Sequence, residues 1–295
     1  MARFFRFLLP ALLLAFSLTG CEEDVVAVLG TDYPFTLYGA FNPEADTQKV
    51  RVFPIEQRLE PTSADPIDAT VTSVDKATGE THTWQDSLLQ FSDGTYGHLF
   101  WAKLRPAYGH SYQVEVKRSD GATSKVSFTV PKMIQPIVGE PIVSTSIVDV
   151  PVFLEGEAPR LIQFELEYWV KYDSSLAGTT KIVIPYTEEL TRVDGGWKFN
   201  IKLRRDFNDI VALLRGRKLY LPRYGVGLIE LNVRAMVVDD AWNPPNDEFD
   251  PEILVEPGTM TNVENGFGFV GAGYPFHLLY RPSHELLTAT GFRII

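Results

Sequence analysis

The chain predicts an all-β protein built as two β-sandwich-like domains, the first of immunoglobulin or fibronectin type, with one short helix in the second. Three observations carry this. Short β-rich runs separated by turn residues fill Phe35 to Val130, at the spacing of an antiparallel sandwich. A proline-rich connector, Pro131 to Pro141, interrupts them, and strand-like runs then resume as far as Val238. Only one stretch shows helical periodicity.

In the first half the expected strands are Phe35–Phe41, Val50–Ile55, Ala69–Asp75, Thr81–Trp84, Leu88–Phe91, Leu99–Leu104, His110–Arg118 and Lys125–Val130. The clearest pair is a hairpin. Tyr112, Val114 and Val116 share one face, Ser119-Asp120-Gly121 makes the turn, and Val126, Phe128 and Val130 return on the same face. A domain boundary is placed near residue 132, giving domains at 34–131 and 132–295.

The second half begins with Ile142–Val150, Leu161–Tyr172, Thr179–Pro185, Trp197–Leu203 and Leu228–Val238. Within the longest run, Phe164, Leu166, Tyr168 and Val170 alternate with Glu165, Glu167, Trp169 and Lys171, the pattern of a half-buried strand. From Asp206 to Arg217, Phe207, Ile210, Val211 and Leu214 recur at helical spacing, and Asp206 is expected to cap the first turn.

The N-terminus reads as an address. Arg3 and Arg6 precede an apolar stretch, Phe7 to Phe16, too short to span a bilayer, so residues 1–20 read as a removable secretory signal. The ending Leu18-Thr19-Gly20-Cys21 resembles the bacterial lipobox, which implies acylation of Cys21 and an anchor at the cell envelope, as an outer-membrane lipoprotein. Two or three acyl chains exceed what stable membrane attachment requires. Residues 21–33, with the acidic Glu22-Glu23-Asp24, then form a tether that leaves the side of the membrane open.

Cys21 is the only cysteine, which excludes internal disulfides and cysteine-ligated zinc. Loss of residues 1–20 removes two arginines and moves the formal charge from −11 to −13. Such an acidic chain lacks the clustered cations that nucleic acid or anionic lipid headgroups require.

No catalytic motif stands out. His82, His98, His110, His277 and His284 have no paired ligand spacing and are expected as isolated surface residues, and no nucleophile elbow or phosphate loop occurs. Glu165 with Glu167, and Glu188 with Glu189, are neighbouring carboxylates, but a glycosidase pair must flank a cleft and the solvent-face reading is preferred for Glu165 and Glu167. The loop 239–250 is the richest in oxygen ligands, which makes Asp239, Asp240, Asp247 and Asp250 a candidate calcium set against a plain acidic turn. Trp84, Trp101, Trp169 and Trp197 are expected in the core, and Trp242 is the candidate exposed aromatic for ligand stacking. No cofactor is expected.

Near the C-terminus stands Thr261-Asn262-Val263-Glu264-Asn265-Gly266-Phe267-Gly268-Phe269-Val270-Gly271-Ala272, after Asp250-Pro251 and Glu256-Pro257. It resembles the closing motif of a Bacteroidota-type envelope lipoprotein family, a domain of unknown function, with departures at Val270 and in the loop from Trp242 to Asp250. The resemblance implies a lipoprotein accompanying an outer-membrane receptor of the TonB-dependent kind and assigns no catalytic residue. The spacing of Gly266, Gly268 and Gly271 matches a dinucleotide fingerprint only superficially, since no βαβ unit surrounds it. Its glycines are expected to mark bulges or close backbone approach, with Asn265-Gly266 as a turn that locks the C-terminal strand into the domain.

Changing Cys21→Ala is expected to abolish incorporation of labelled palmitate and to release the protein from the membrane pellet. Persistent labelling of that variant would refute the lipobox reading.

Overall fold

The computed structural model describes residues 32–55, 64–90, 92, 94, 96–172, 178–219, 225–242 and 261–295. Residues 1–31, with the signal, Cys21 and most of the tether, lie outside them. The protein is all-β, and its centre is one sheet of eight strands that runs through both halves of the chain.

The first half contributes β1 (Phe35–Phe41), β2 (Thr47–Pro54), β6 (Tyr96–Lys103) and β5 (Gln85–Gln90), in that order across the sheet. The second half contributes β13 (Thr179–Pro185), β12 (Arg160–Lys171) and β16 (Gly227–Val238). Between them runs β18 (Gly266–Tyr280). Its first part pairs in parallel with β1, from Phe35↔Gly266 to Phe41↔Ala272. Its second part pairs antiparallel with β16, from Val238↔Gly273 to Leu231↔Tyr280.

A smaller sheet packs on each half. Over the first lie β3 (Thr70–Asp75), β4 (Thr81–Thr83), β7 (Ser111–Lys117), β8 (Thr123–Thr129) and β17 (Val263–Glu264), in the order β17-β8-β7-β3-β4. The expected hairpin is β7 and β8, with Val114 opposite Val126 and Gly121 at φ 93° in the turn. The Tyr112 hydroxyl turns back to accept the Ala107 N–H at 2.9 Å, the tyrosine-corner arrangement of immunoglobulin-like sandwiches.

Over the second half lie β9 (Gln135–Val138), β10 (Ile142–Val143), β11 (Val148–Glu155), β14 (Thr191–Val193) and β15 (Gly196–Lys202). The proline-rich segment, expected only as a connector, thus contains an edge strand: β9 pairs with β11, and the Gly139 N–H donates to the Pro151 carbonyl at 2.8 Å. Pro136 and Pro141 suit such a position, because an edge strand tolerates missing donors. The expected run Ile142–Val150 is two strands, broken by a turn in which the Ser144 N–H donates to the Ile147 carbonyl at 2.8 Å.

Among the described residues two helices occur where one was expected. The first, α1 (Leu203–Gly216), buries Leu203, Ile210 and Leu214 against the second core, as its periodicity predicts. Asp206 is not its cap. It lies fully buried and accepts the Tyr168 hydroxyl at 2.5 Å, the Tyr186 hydroxyl and the Arg205 guanidinium at 3.0 Å. Burial pushes this carboxyl above its ordinary value against the pull of those donors. The second helix, α2 (His284–Thr290), carries its own capping signals: Ser283 Oγ accepts the Leu286 N–H at 3.3 Å, and Gly291 closes the helix at φ 111°.

The two cores are separate clusters that meet in one strand. Val270 and Ala272 of β18 join Phe35, Leu37, Phe41 and Phe128 in the first core, while Tyr274 and Phe276 join Phe164, Leu166 and Tyr168 in the second. Residues 263–272, from the far end of the chain, therefore complete the sandwich that the sequence places at 34–131.

The C-terminal motif makes this possible. Its chain leaves β17 in one sheet and enters β18 in the other within one residue, Asn265 at φ 51°, whose carbonyl accepts the Ser124 hydroxyl at 2.7 Å. The Asn262 side chain then acts as a surrogate strand: its Nδ2 donates to the Val270 carbonyl at 2.7 Å and its Oδ1 accepts the Val270 N–H at 3.1 Å. Gly268 sits at φ 91°, and a Cβ there would stand 2.1 Å from the Leu37 carbonyl oxygen. This is the close approach expected of the motif's glycines.

Replacing Gly268 with Ala combines a left-handed backbone with a clash against main chain, and is expected to cost about 3 kcal/mol or more. Urea unfolding would measure it. A loss under about 1 kcal/mol, the ordinary cost of a tolerated substitution, would contradict the β1–β18 register.

Candidate functional site

The outer face of β12, β16 and β18 carries a polar constellation outside the cores. On β12 the alternation is as expected: Phe164, Leu166, Tyr168 and Val170 are buried in the core, and Glu165, Glu167, Trp169 and Lys171 lie on the opposite face. Glu167 is nevertheless only 6% exposed, because its neighbours close over it. It accepts the Trp169 Nε1–H at 2.7 Å, the Lys181 ammonium at 3.1 Å and the Arg234 guanidinium at 3.0 Å. Burial would raise this carboxyl, but the three donors together hold it below the ordinary carboxylate value. Trp169 departs from the core expectation and stands 38% exposed.

A cleft of ≈ 780 Å³ opens beside this group, lined by Gln163, Glu165, Glu167, Glu230, Asn232, Arg234 and His277 among others. A β-bulge shapes it. Pairing of β12 with β16 slips between Ile162 and Glu165, and Gln163 takes φ 51°, a conformation uncommon for a residue with a Cβ. Asn232 is 3% exposed; its Nδ2 donates to Glu230 while its Oδ1 is buried with no donor. Leaving a buried carbonyl unmatched costs about 1–3 kcal/mol, so the cleft has acceptor capacity that the fold does not satisfy. Glu165 and Glu167 do not oppose each other across it, since both belong to one strand.

Asp239 and Trp242 sit at the junction of the two sandwiches. Asp239 is 2% exposed and accepts the Ala272 N–H at 2.6 Å through Oδ2 and the Trp242 N–H at 3.1 Å through Oδ1. Its own N–H donates to the Ala272 carbonyl at 3.0 Å, extending the β16–β18 ladder by one residue. Burial pushes this carboxyl up to about 6, and the backbone donors only partly offset it. Asp240 beside it is exposed, and Asp247 and Asp250 lie outside the described residues. The Trp242 ring packs edge-on against Phe269 at 5.1 Å, partly buried, in a small cluster with Tyr38. Among the described residues no group of three or more His, Cys, Asp or Glu is arranged to hold a metal ion.

A smaller cleft of ≈ 370 Å³, at the end of the first sandwich, brings together His82, His110, Asp75, Glu80 and Lys103. His110 Nδ1 lies 2.8 Å from Asp75 Oδ2, and His82 Nε2 lies 3.2 Å from Glu80. Asp75 also accepts the Ala77 N–H at 2.8 Å and the Tyr112 hydroxyl at 3.2 Å, so it holds the β3–β4 turn and the tyrosine corner together. His98, expected at the surface, is instead 5% exposed and bonded to Asp86 at 2.7 Å. The three remaining tryptophan indoles are each tied by their Nε1–H: Trp84 to Ser73, Trp101 to Ser87 and Trp197 to the Ala158 carbonyl.

No family profile and no curated protein matches the chain. Among solved structures it is similar to a complex of Dpr2 Ig1-Ig2 with DIP-Theta Ig1-Ig3, at 10% identity over 82% of this chain and 95% of that one, with a TM-score of 0.18. A likeness at that score supports no conclusion about this protein, whose fold class rests on its own strands.

Asp239 predicts a pH dependence of stability. Its folded-state pKa of about 6 lies above the ordinary value of 3.8, so between about pH 4 and 6 the folded protein holds a proton that the unfolded chain has released. This group therefore lowers stability as pH rises through that window, by about 3 kcal/mol in total. Urea unfolding at both ends of the window, repeated on Asp239→Asn, should show that slope shrink in the variant; an unchanged slope would exclude Asp239 as its source.

Proposed function

We propose that this chain is a lipid-anchored envelope protein that works by binding, as an accessory to an outer-membrane uptake receptor of the TonB-dependent kind. The observation that carries the reading is the order of basic, apolar and small residues that ends at Cys21. The motif at residues 261–272, with its likeness to envelope lipoproteins of that association, adds the partner class.

The architecture suits such a role. β1 begins at Phe35, soon after the tether, and runs parallel to β18, so the second sandwich lies at the far end of a 15-residue strand. At about 3.3 Å per residue that strand is roughly 50 Å long. A protein anchored at Cys21 would hold its second sandwich, with the larger cleft, away from the anchored end. Glu167 is bound by three donors, which gives little support to an envelope hydrolase using Glu165 and Glu167. A second reading, a glycan- or ligand-binding module, is favoured by the cleft itself.

Affinity purification from detergent-solubilised envelopes is expected to recover an outer-membrane receptor with the full-length protein. Recovery of the bait alone, from cells in which it is lipidated, would refute the accessory reading.

A further inference from the structure

The cleft on the outer face of β12, β16 and β18 has an excess of acceptors with a definite spacing. Three carboxylates, Glu165, Glu167 and Glu230, line it against the Arg234 guanidinium, and with the Lys181 ammonium that reaches Glu167 one net negative charge remains. Glu167 is already matched by Arg234 and by Lys181. Glu165 and Glu230 have no ion pair among the described residues, and Glu230 is held in place by the Asn232 amide. The remaining Asn232 oxygen, buried and without a donor, stands beside them.

Register fixes how far apart the backbone positions of these two glutamates are. Glu165 pairs with Arg234 and Trp169 pairs with Glu230, so the two glutamates are four residues apart along the strands, on one face, with neutralised Glu167 between. At about 3.3 Å per residue this is roughly 13 Å. The aromatic residues lining the cleft, Phe164 and Phe276, are 1% and 7% exposed and belong to the core, so the lining offers no open ring face for a sugar. Acceptors at two ends fit a linear ligand with a cationic donor at each end.

We propose that this cleft is a binding site for a linear polyamine, with one amino group at Glu165, the other at Glu230, and the Asn232 carbonyl as an additional acceptor. The acidic chain adds a long-range attraction for such a cation. This goes beyond the accessory role and does not depend on it, because polyamine binding and receptor capture can fail separately.

Isothermal titration of the detergent-solubilised full-length protein with spermidine tests it. One saturable site is expected, with putrescine, which carries one ammonium group fewer, weaker by about tenfold. Glu165→Gln and Glu230→Gln should each weaken spermidine by roughly fivefold, as loss of one charge-assisted hydrogen bond does, without changing the unfolding midpoint. Glu285→Gln, which removes the same charge from α2, should stay within about twofold, the scale of diffuse electrostatics. No saturable binding of spermidine, equal affinity in the Glu165→Gln/Glu230→Gln double variant, or saturable binding of maltose but not spermidine would each overturn the proposal.

Discussion

The parallel contact of β1 with β18 is the constraint on which the rest of the architecture depends. Val270 and Ala272 are side chains of the first core, and Tyr274 and Phe276, a few residues on, are side chains of the second. A strand is stiff over that distance, so neither sandwich can shift its share of β18 without disturbing the other. The Tyr274 hydroxyl reinforces the joint, accepting the Ile134 N–H and donating to the Lys132 carbonyl, both at 2.9 Å. Two domains joined by a flexible linker would move independently; these two share a ladder of backbone hydrogen bonds.

Close packing at that joint explains the glycines. Gly266, Gly268 and Gly273 each stand where a Cβ would meet a backbone oxygen within 3 Å, at Phe35, Leu37 and Val237 respectively. The polar residues around them replace what a neighbouring strand would otherwise supply: Asn262 bonds both backbone groups of Val270, and Asp239 takes the Ala272 N–H. The stability cost of Asp239, a carboxyl raised by burial, is thus tied to ending β16 at the middle of β18.

Period-two alternation made much of the fold legible. β7, β8 and β12 have strong apolar and polar faces, and the structure buries the faces that the pattern selects. What alternation could not reach was pairing. The glycine-rich start of β18 has no face to read, and its partner β1 is more than two hundred residues away in the chain. Asp206 resembles a helix cap in sequence because its burial depends on Tyr168 and Tyr186, hydroxyls contributed by other segments. The helix α2 was locally marked by Ser283 and Gly291 but is only seven residues long, too short for its period to stand out. At the candidate site the outward row of Glu165, Glu167 and Trp169 was readable, whereas the bulge at Gln163 and the arrival of Asn232 and Arg234 from β16 were not, since both depend on register.

The shared strand also sets an order of assembly. A chain made or exported from its N-terminus presents Phe35 to Phe41 early, yet their partner at 266–272 follows more than two hundred residues later. Until then β1 has one bare edge, and the first hydrophobic core lacks Val263, Val270 and Ala272. Contacts of such long sequence separation form slowly, and unpaired edges invite association with other chains. The first sandwich is therefore completed only after residues 266–272 have emerged, and the open edge of β1 stays available to other chains until they do.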